Sequence, residues 1–218
     1  MDIPVLTIDG PSGAGKGTVS RLVAKKLGWH YLDSGSIYRS LAVALAKQSI
    51  DLTDKAGIVK TARAMVLEFD CGDDLKVRLD GEDVTGQLAL ESTGNAASIV
   101  AAYPEVRQVL LKKQQDFKRS PGLVADGRDM GTVVFADAGN KVFLTASAEK
   151  RAERRYKQLI EKGIDANLSR LTIEIEERDR RDMERTNAPL NMAVDALFID
   201  SSEMTVDEVV SKVLNLIR

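Results

Sequence analysis

Residues 5–27, VLTIDGPSGAGKGTVSRLVAKKL, leave the chain few ways to fold. The stretch opens with a short apolar run in which Val5, Leu6 and Ile8 flank the β-branched Thr7, the pattern of a buried strand. It then breaks into Gly10-Pro11-Ser12-Gly13-Ala14-Gly15-Lys16-Gly17-Thr18. The pattern resumes with Val19, Leu22, Val23 and Leu27, which share one helical face, and Gly28 closes the helix. A strand, a turn carrying G-x-x-x-x-G-K and a helix together make a phosphate-binding loop. Glycines let the backbone curl until several N–H groups point at a phosphate chain. The helix N-terminus adds unpaired donors and a positive dipole end. Lys16 supplies a full charge that reaches the outer phosphates, so Gly10 to Thr18 are expected to hold the phosphates of a nucleotide.

Composition narrows the setting. At 218 residues and 44% apolar content, one domain with a proper core is expected. A net charge of −2 argues against bulk binding to nucleic acid or a membrane surface. Arginine is nonetheless clustered, with nine of the sixteen between Arg128 and Arg185, which leaves a local anion site open. Cys71 is the single cysteine and His30 the single histidine, so neither a disulfide within the chain nor a zinc cluster is expected. The start MDIPVL has no basic region before a long apolar stretch, and runs such as Leu41 to Ala46 are far below the ~20 residues that span a bilayer. A soluble, cytoplasmic protein is expected. Nothing suggests an obligate interface, so a monomer is expected as well.

Short apolar strands are predicted at Trp29–Leu32, Leu123–Ala125, Lys141–Leu144 and Ala196–Ile199, separated by helical patterns. The helices include one through Ile37, Leu41 and Leu45, one over about 53–66, and one starting at Pro104 with a stripe of Val106, Val109, Leu110 and Phe117. The last opens with the capping box Thr205-x-x-Glu208 and is expected to bury Val206, Val209, Val210, Val213 and Ile217. Between Leu67 and Leu88 the segments LEFDC, LKVRLD and EDVT alternate, and Asp80-Gly81 is a hairpin signal, so a small antiparallel insert is predicted. Buried strands alternating with helices imply a five-stranded parallel sheet covered on both faces, with ligands beyond the C-terminal strand ends. The loop at Gly10, Asp33-Ser34 and Asp126-Gly127-Arg128-Asp129 all fall at that edge.

A helix beginning with Arg151, Arg154 and Arg155 runs to Gly163, and a second charged segment runs from Leu168 to Arg185. In the latter Arg178, Arg181 and Arg185 share one helical face with Asp182. Such runs more commonly serve as solvated faces laced by salt bridges. Beside a phosphate loop they suit a lid, because phosphoryl transfer is met with cations, positioning and exclusion of water. The lid is expected over about 150–188, with Arg151 and Arg155 on the ATP side.

The segments GPSGAGKGT at Gly10, LDSGSIYR at Leu32, VADGRDMGTVVF at Val124 and ERDRRDMERTNAPL at Glu177 resemble those of the bacterial cytidylate (CMP) kinases, over essentially the whole chain. Gly17 after Lys16, in place of the usual Ser/Thr, is the form found in nucleoside monophosphate kinases. The resemblance implies transfer of the γ-phosphoryl group of ATP to CMP or dCMP with Mg²⁺, on a P-loop kinase fold in which about 34–120 hold the monophosphate and about 66–88 form the insert. It implies that Ser34, Arg107 and Asp129 contact cytosine, and that Ser98, Arg178 and Asp182 contact the sugar. It implies that Arg39, Arg128 and Arg185 reach the CMP phosphate, that Tyr38 lines the pocket, and that Lys16, Arg128 and Arg185 are the catalytic residues.

Hydrogen-bond chemistry fits these roles. The N4 amino group of cytosine needs an acceptor, and a carboxylate at Asp129 supplies one. Uracil would present a carbonyl there, acceptor against acceptor. No general base is required, since the acceptor phosphate has a second pKa of about 6 and is mostly a dianion at neutral pH. With Gly17 lacking a hydroxyl, Mg²⁺ ligation falls to Thr18 or to waters, and Asp126 either orients such a water or is an ordinary strand-end carboxylate. Two rival readings stand beside this one: another small-molecule kinase (uridylate, shikimate or dephospho-coenzyme A), and a nucleotide-binding switch. Asn140-Lys141-Val142-Phe143 lacks the aspartate of the guanine-reading N-K-x-D signature.

Overall fold

Strand β1 (Val5–Asp9) is buried at every position and lies at the centre of the sheet in the computed structural model, which describes residues 3–71, 75–161 and 163–217. Its neighbours are β6 (Leu123–Gly127) and β7 (Asn140–Thr145), both parallel to it. β2 (His30–Asp33) extends the sheet beyond β6, and β8 (Leu197–Asp200) extends it beyond β7. The order is β2-β6-β1-β7-β8, all parallel. All five predicted strands are present, displaced by a residue or two at their ends.

Alternation along the strands divides the interior in two. Leu6, Ile8, Val124, Val142, Leu144 and Ile199 face α1 (Lys16–Leu27) and α9 (Val206–Leu216). Val5, Leu32, Leu123 and Ala125 face the larger cluster, supplied by α2 (Ser34–Lys47), α3 (Lys55–Ala64), α5 (Glu91–Val100) and α6 (Pro104–Gln115). Two-sided burial explains why the inner strands read as continuous apolar runs, whereas the edge strand β8 departs from the expected burial, with only Ile199 buried and Leu197 and Phe198 exposed.

The insert is an antiparallel sheet of β3 (Leu67–Cys71), β4 (Leu75–Leu79) and β5 (Glu82–Asp83). Asp80 and Gly81 have φ of 52° and 85°, as a tight two-residue hairpin turn requires. The third strand is shorter than EDVT suggests. The Thr85 hydroxyl accepts the Val77 N–H at 3.0 Å, and the Thr85 N–H goes to Asp83 Oδ1 at 2.9 Å, which turns the chain into the short helix α4 (Thr85–Leu88). Val77, Leu79, Val84 and Leu88 pack into the larger cluster, so the insert shares the core of the main sheet.

Other expectations shift at the edges. α6 ends at Gln115, so Phe117 lies past the helix and meets Phe69 of the insert edge-on at 5.2 Å. Val206 is 45% exposed because it occupies the first helical position after the cap, while Val209, Val210 and Val213 are buried as expected. His30, the first residue of β2, is exposed, with its ring Nε2 2.9 Å from the Ser120 carbonyl. The arginine-rich helices are α7 (Ala148–Glu161) and α8 (Leu168–Met183), and a π-helical turn, Met130–Val134, follows β6. Among the described residues no helix is long and apolar enough to cross a membrane.

Candidate active site

A cleft of about 930 Å³ opens beyond the C-terminal strand ends and runs from the phosphate loop to the residues between α2, α5, α6 and α8. At its donor end Gly10 has φ +150°, and a Cβ there would lie 1.9 Å from the Leu144 carbonyl oxygen, so only glycine lets the loop leave β1 this close to β7. Ser12, Gly13, Ala14, Gly15, Lys16, Gly17 and Thr18 line the cleft, whereas Gly10 and Pro11, also expected there, are buried and do not. Gly15 caps α1 in the left-handed region. Lys16 donates from Nζ to the Pro11 carbonyl at 2.8 Å. Burial, followed by repulsion from Arg128, pushes its pKa down. A phosphate chain in the loop would draw it back to the charged form.

The charges of three strand-end carboxylates, Asp126, Asp9 and Asp33, act on Lys16. Asp33 and Asp126 are register partners on β2 and β6, and Tyr31 donates its hydroxyl to Asp126 Oδ2 at 2.7 Å. Burial first, then the charge of Asp33, pushes Asp126 well above the usual carboxylate range. A Cβ on Gly17 would lie 3.8 Å from Asp126 Oδ2, so this carboxylate adjoins the start of α1, where Thr18 is exposed. A hydroxyl, two carboxylates and substrate phosphates are hard oxygen donors of the kind Mg²⁺ uses while retaining waters. Among the described residues no group of three or more His, Cys, Asp or Glu forms a dedicated metal cage.

Arg151 and Arg155, expected on the ATP side, are partly committed elsewhere. Arg151 donates to the Ser12 carbonyl at 2.9 Å, to the Ala146 carbonyl at 2.9 Å, and to both carboxylate oxygens of Asp179 at 3.1 and 2.5 Å. Its fork therefore braces the phosphate loop against α8. Arg155 reaches across to the Ala89 carbonyl at 3.1 Å and Glu91 at 2.5 Å, joining α7 to the start of α5.

At the acceptor end Asp182 is the hub. It accepts from Arg128 Nε at 2.8 Å, pairs with Arg185, and lies 3.5 Å from the Ser98 hydroxyl. Burial works against its charge, but Arg128 and Arg185 hold its pKa below the usual range. Arg178 has no such partner at its buried Nε, and burial together with repulsion from Arg128 lowers its pKa to about 9. Asp129 is buried and paired with Arg107, whose guanidinium also sits 5.7 Å from the centre of the Tyr38 ring. Ser34 donates to Gln114 Oε1 at 2.6 Å. Arg39 donates to the carbonyls of Leu88 and Leu90 at 2.6 and 3.2 Å.

Ser34, Tyr38, Arg39, Ser98, Arg107, Arg128, Asp129, Arg178, Asp182 and Arg185 all line this one cleft. Arg181 does not join them; it is exposed, so the expected arginine face of α8 splits. Arg185 lies beyond the end of α8 and reaches Asp182 from there. Three participants escaped the sequence reading. Gln114 sits two helical turns after Arg107 on α6, a spacing that would have flagged it. Asp179 hid inside a run of charges, and Asp9 inside a strand.

The cytidylate kinase family model matches residues 6–218. A cytidylate kinase of Methylococcus capsulatus is 57% identical over 99% of this chain and 97% of its own length. One of Aeromonas salmonicida is 56% identical over 97% of this chain and 92% of its own. With a phosphate loop at one end of the cleft and a carboxylate–arginine network at the other, the chain belongs to the cytidylate kinase family.

Proposed function

We propose that this cleft transfers the γ-phosphoryl group of ATP to CMP or dCMP, giving ADP and CDP or dCDP. The observation that carries the reading is that one continuous cleft joins the phosphate loop to the paired Arg107 and Asp129. ATP lies with its phosphates on Gly10 to Thr18, and Lys16 reaches the transferring group. The monophosphate lies at the other end, its base against Ser34, Arg107 and Asp129, its sugar against Ser98, Arg178 and Asp182. Arg39, Arg128 and Arg185 hold the acceptor phosphate, and Tyr38 walls the pocket.

The chemistry these residues perform is electrostatic. The acceptor dianion needs no base, so the arginines bring two anionic phosphates together and stabilise the charge spread over the moving group. Arg178, buried without a partner at Nε, gains most from an incoming oxygen ligand. When bound, Mg²⁺ supplies Lewis-acid neutralisation of the donor phosphates. Thr18 would hold it, with Asp33 and Asp126 acting through waters. Helices α7 and α8 form the lid that excludes water from the transfer.

The test is ADP production with CMP, dCMP, UMP and AMP offered separately. CMP and dCMP should be turned over efficiently, UMP weakly and AMP hardly at all. Equal turnover of all four, or none, would overturn the reading.

A further inference from the structure

Asp9 is a buried carboxylate that the transfer chemistry does not use, and its position is unusual. It ends β1, immediately before the phosphate loop, yet strand alternation turns it away from α1. With Val5 and Thr7 it points to the face covered by the larger core cluster, while Leu6 and Ile8 point to the α1 side. There it meets the π-helical turn. Asp9 Oδ1 accepts the Met130 N–H at 2.8 Å, and Oδ2 accepts the Gly131 N–H at 2.7 Å. These are the two amides directly after Asp129.

The turn is packed closely against β1 at this contact. A Cβ at Gly131 would lie 2.7 Å from Thr7 Oγ1 and 3.3 Å from Asp9 Oδ2. The Asp129 carbonyl accepts from Val133 and Val134 at 2.9 and 3.1 Å, so residue 129 is held from both sides of its peptide plane. Its side chain then points to Arg107. Within the described residues the hydrogen bonds of Asp9 are to backbone, and Lys16 acts on it through charge alone.

We propose that Asp9 is a positioning residue for base recognition: by holding the amides of Met130 and Gly131 it sets the Asp129 carboxylate where it accepts the cytosine amino group. The proposal rests on the reading of Asp129 given above. It links the two halves of the site, because the residue that precedes the ATP loop also fixes the reader of the acceptor base. In Asp9→Asn one carboxylate oxygen becomes an NH₂ facing a backbone N–H, donor against donor, and the turn must move.

The experiment compares kcat/KM for CMP and for UMP in the wild type, Asp9→Asn and Asp129→Ala. Asp129→Ala should collapse the CMP/UMP ratio, and Asp9→Asn should lower it at least about fivefold, mostly through KM for CMP. A general structural role would lower both substrates alike and leave the ratio untouched. If Asp129→Ala collapses the ratio while Asp9→Asn keeps it within twofold of wild type, the role of Asp9 is wrong and the reading of Asp129 stands. If Asp129→Ala leaves the ratio unchanged, both fall. Should Asp9→Asn not accumulate as folded protein, Gly131→Ala displaces the same turn from β1, and an unchanged ratio there overturns the proposal equally.

Discussion

Asp9 and Asp126 stand near the ends of adjacent strands but point to opposite faces of the sheet. Asp126 adjoins Tyr31, Gly17 and Lys16; Asp9 holds the turn after Asp129. Both carboxylates stand where burial disfavours charge. For Asp9, burial outweighs its two backbone hydrogen bonds and raises the pKa from 3.8 to about 6. A folded-state pKa above the unfolded value means that the native state binds more protons in this window. The stability contributed by Asp9 is therefore present below pH 4 and lost as pH rises through about 6. The loss amounts to about 3 kcal/mol. Asp9→Asn removes this titration, so the unfolding free energy of the variant relative to wild type should move in the variant's favour by about 3 kcal/mol between roughly pH 4 and pH 7. Urea denaturation across that range measures it, and a gap that does not change with pH would contradict the raised pKa.

At the scale of the element, α8 is a strut whose buried face works at two levels one turn apart. Asp179 turns toward Arg151 and the phosphate loop, and one turn later Asp182 holds Arg128 and Arg185 at the acceptor end. The helix would be a solvated surface run if its charges found only one another. Two of them are buried instead, with Asp182 at 1% exposure and Asp179 at 8%. Removing one partner of a buried ion pair leaves the other uncompensated, at a cost of about 3 kcal/mol. Asp179→Ala should accordingly lower stability by about that much. It should also raise KM for ATP severalfold, because Arg151 would no longer hold the Ser12 carbonyl against α8. Thermal unfolding and steady-state kinetics check the two parts separately; an unchanged KM for ATP would show that the brace does not shape the loop.

At the scale of the whole molecule, the insert is joined to the sheet by shared packing. Val77 is 1% exposed and belongs to the same cluster as Leu32, Leu41 and Leu123. A three-stranded sheet of this size is not stable without such support. Val77→Ala should therefore cost about 2 kcal/mol of the stability of the entire chain. Trp29, the single tryptophan, precedes β2 in the main body and reports on it by fluorescence. A Trp29 transition shifted to lower urea in Val77→Ala would show one cooperative unit; an unshifted one would mean that the insert unfolds separately.

The sequence alone determined the elements and the glycine-rich loop between β1 and α1. Buried parallel strands are apolar throughout, and a phosphate loop needs glycines and lysine contiguous in the chain, so both are local patterns and both were legible at Val5–Thr18. Asp80-Gly81 revealed the hairpin for the same reason, since positive φ at both positions restricts the residues that fit. The residues proposed to hold the acceptor were suggested only by the resemblance of DSGSIYR, DGRDMGT and ERDRRDMERTNAPL to a known family. What the tertiary structure decided is which polar groups meet. Ser34 finds Gln114 across 80 residues, Asp9 finds Met130 across 121, and Arg151 spends its fork on Ser12 and Asp179. Arg181 looks equivalent to Arg178 in the helical register, yet only Arg178 faces the cleft. A buried polar residue looks the same in the sequence whether its partner is a ligand, a backbone amide or another side chain. Only the packing that closes around it, set by residues far away in the chain, determines which of these it is.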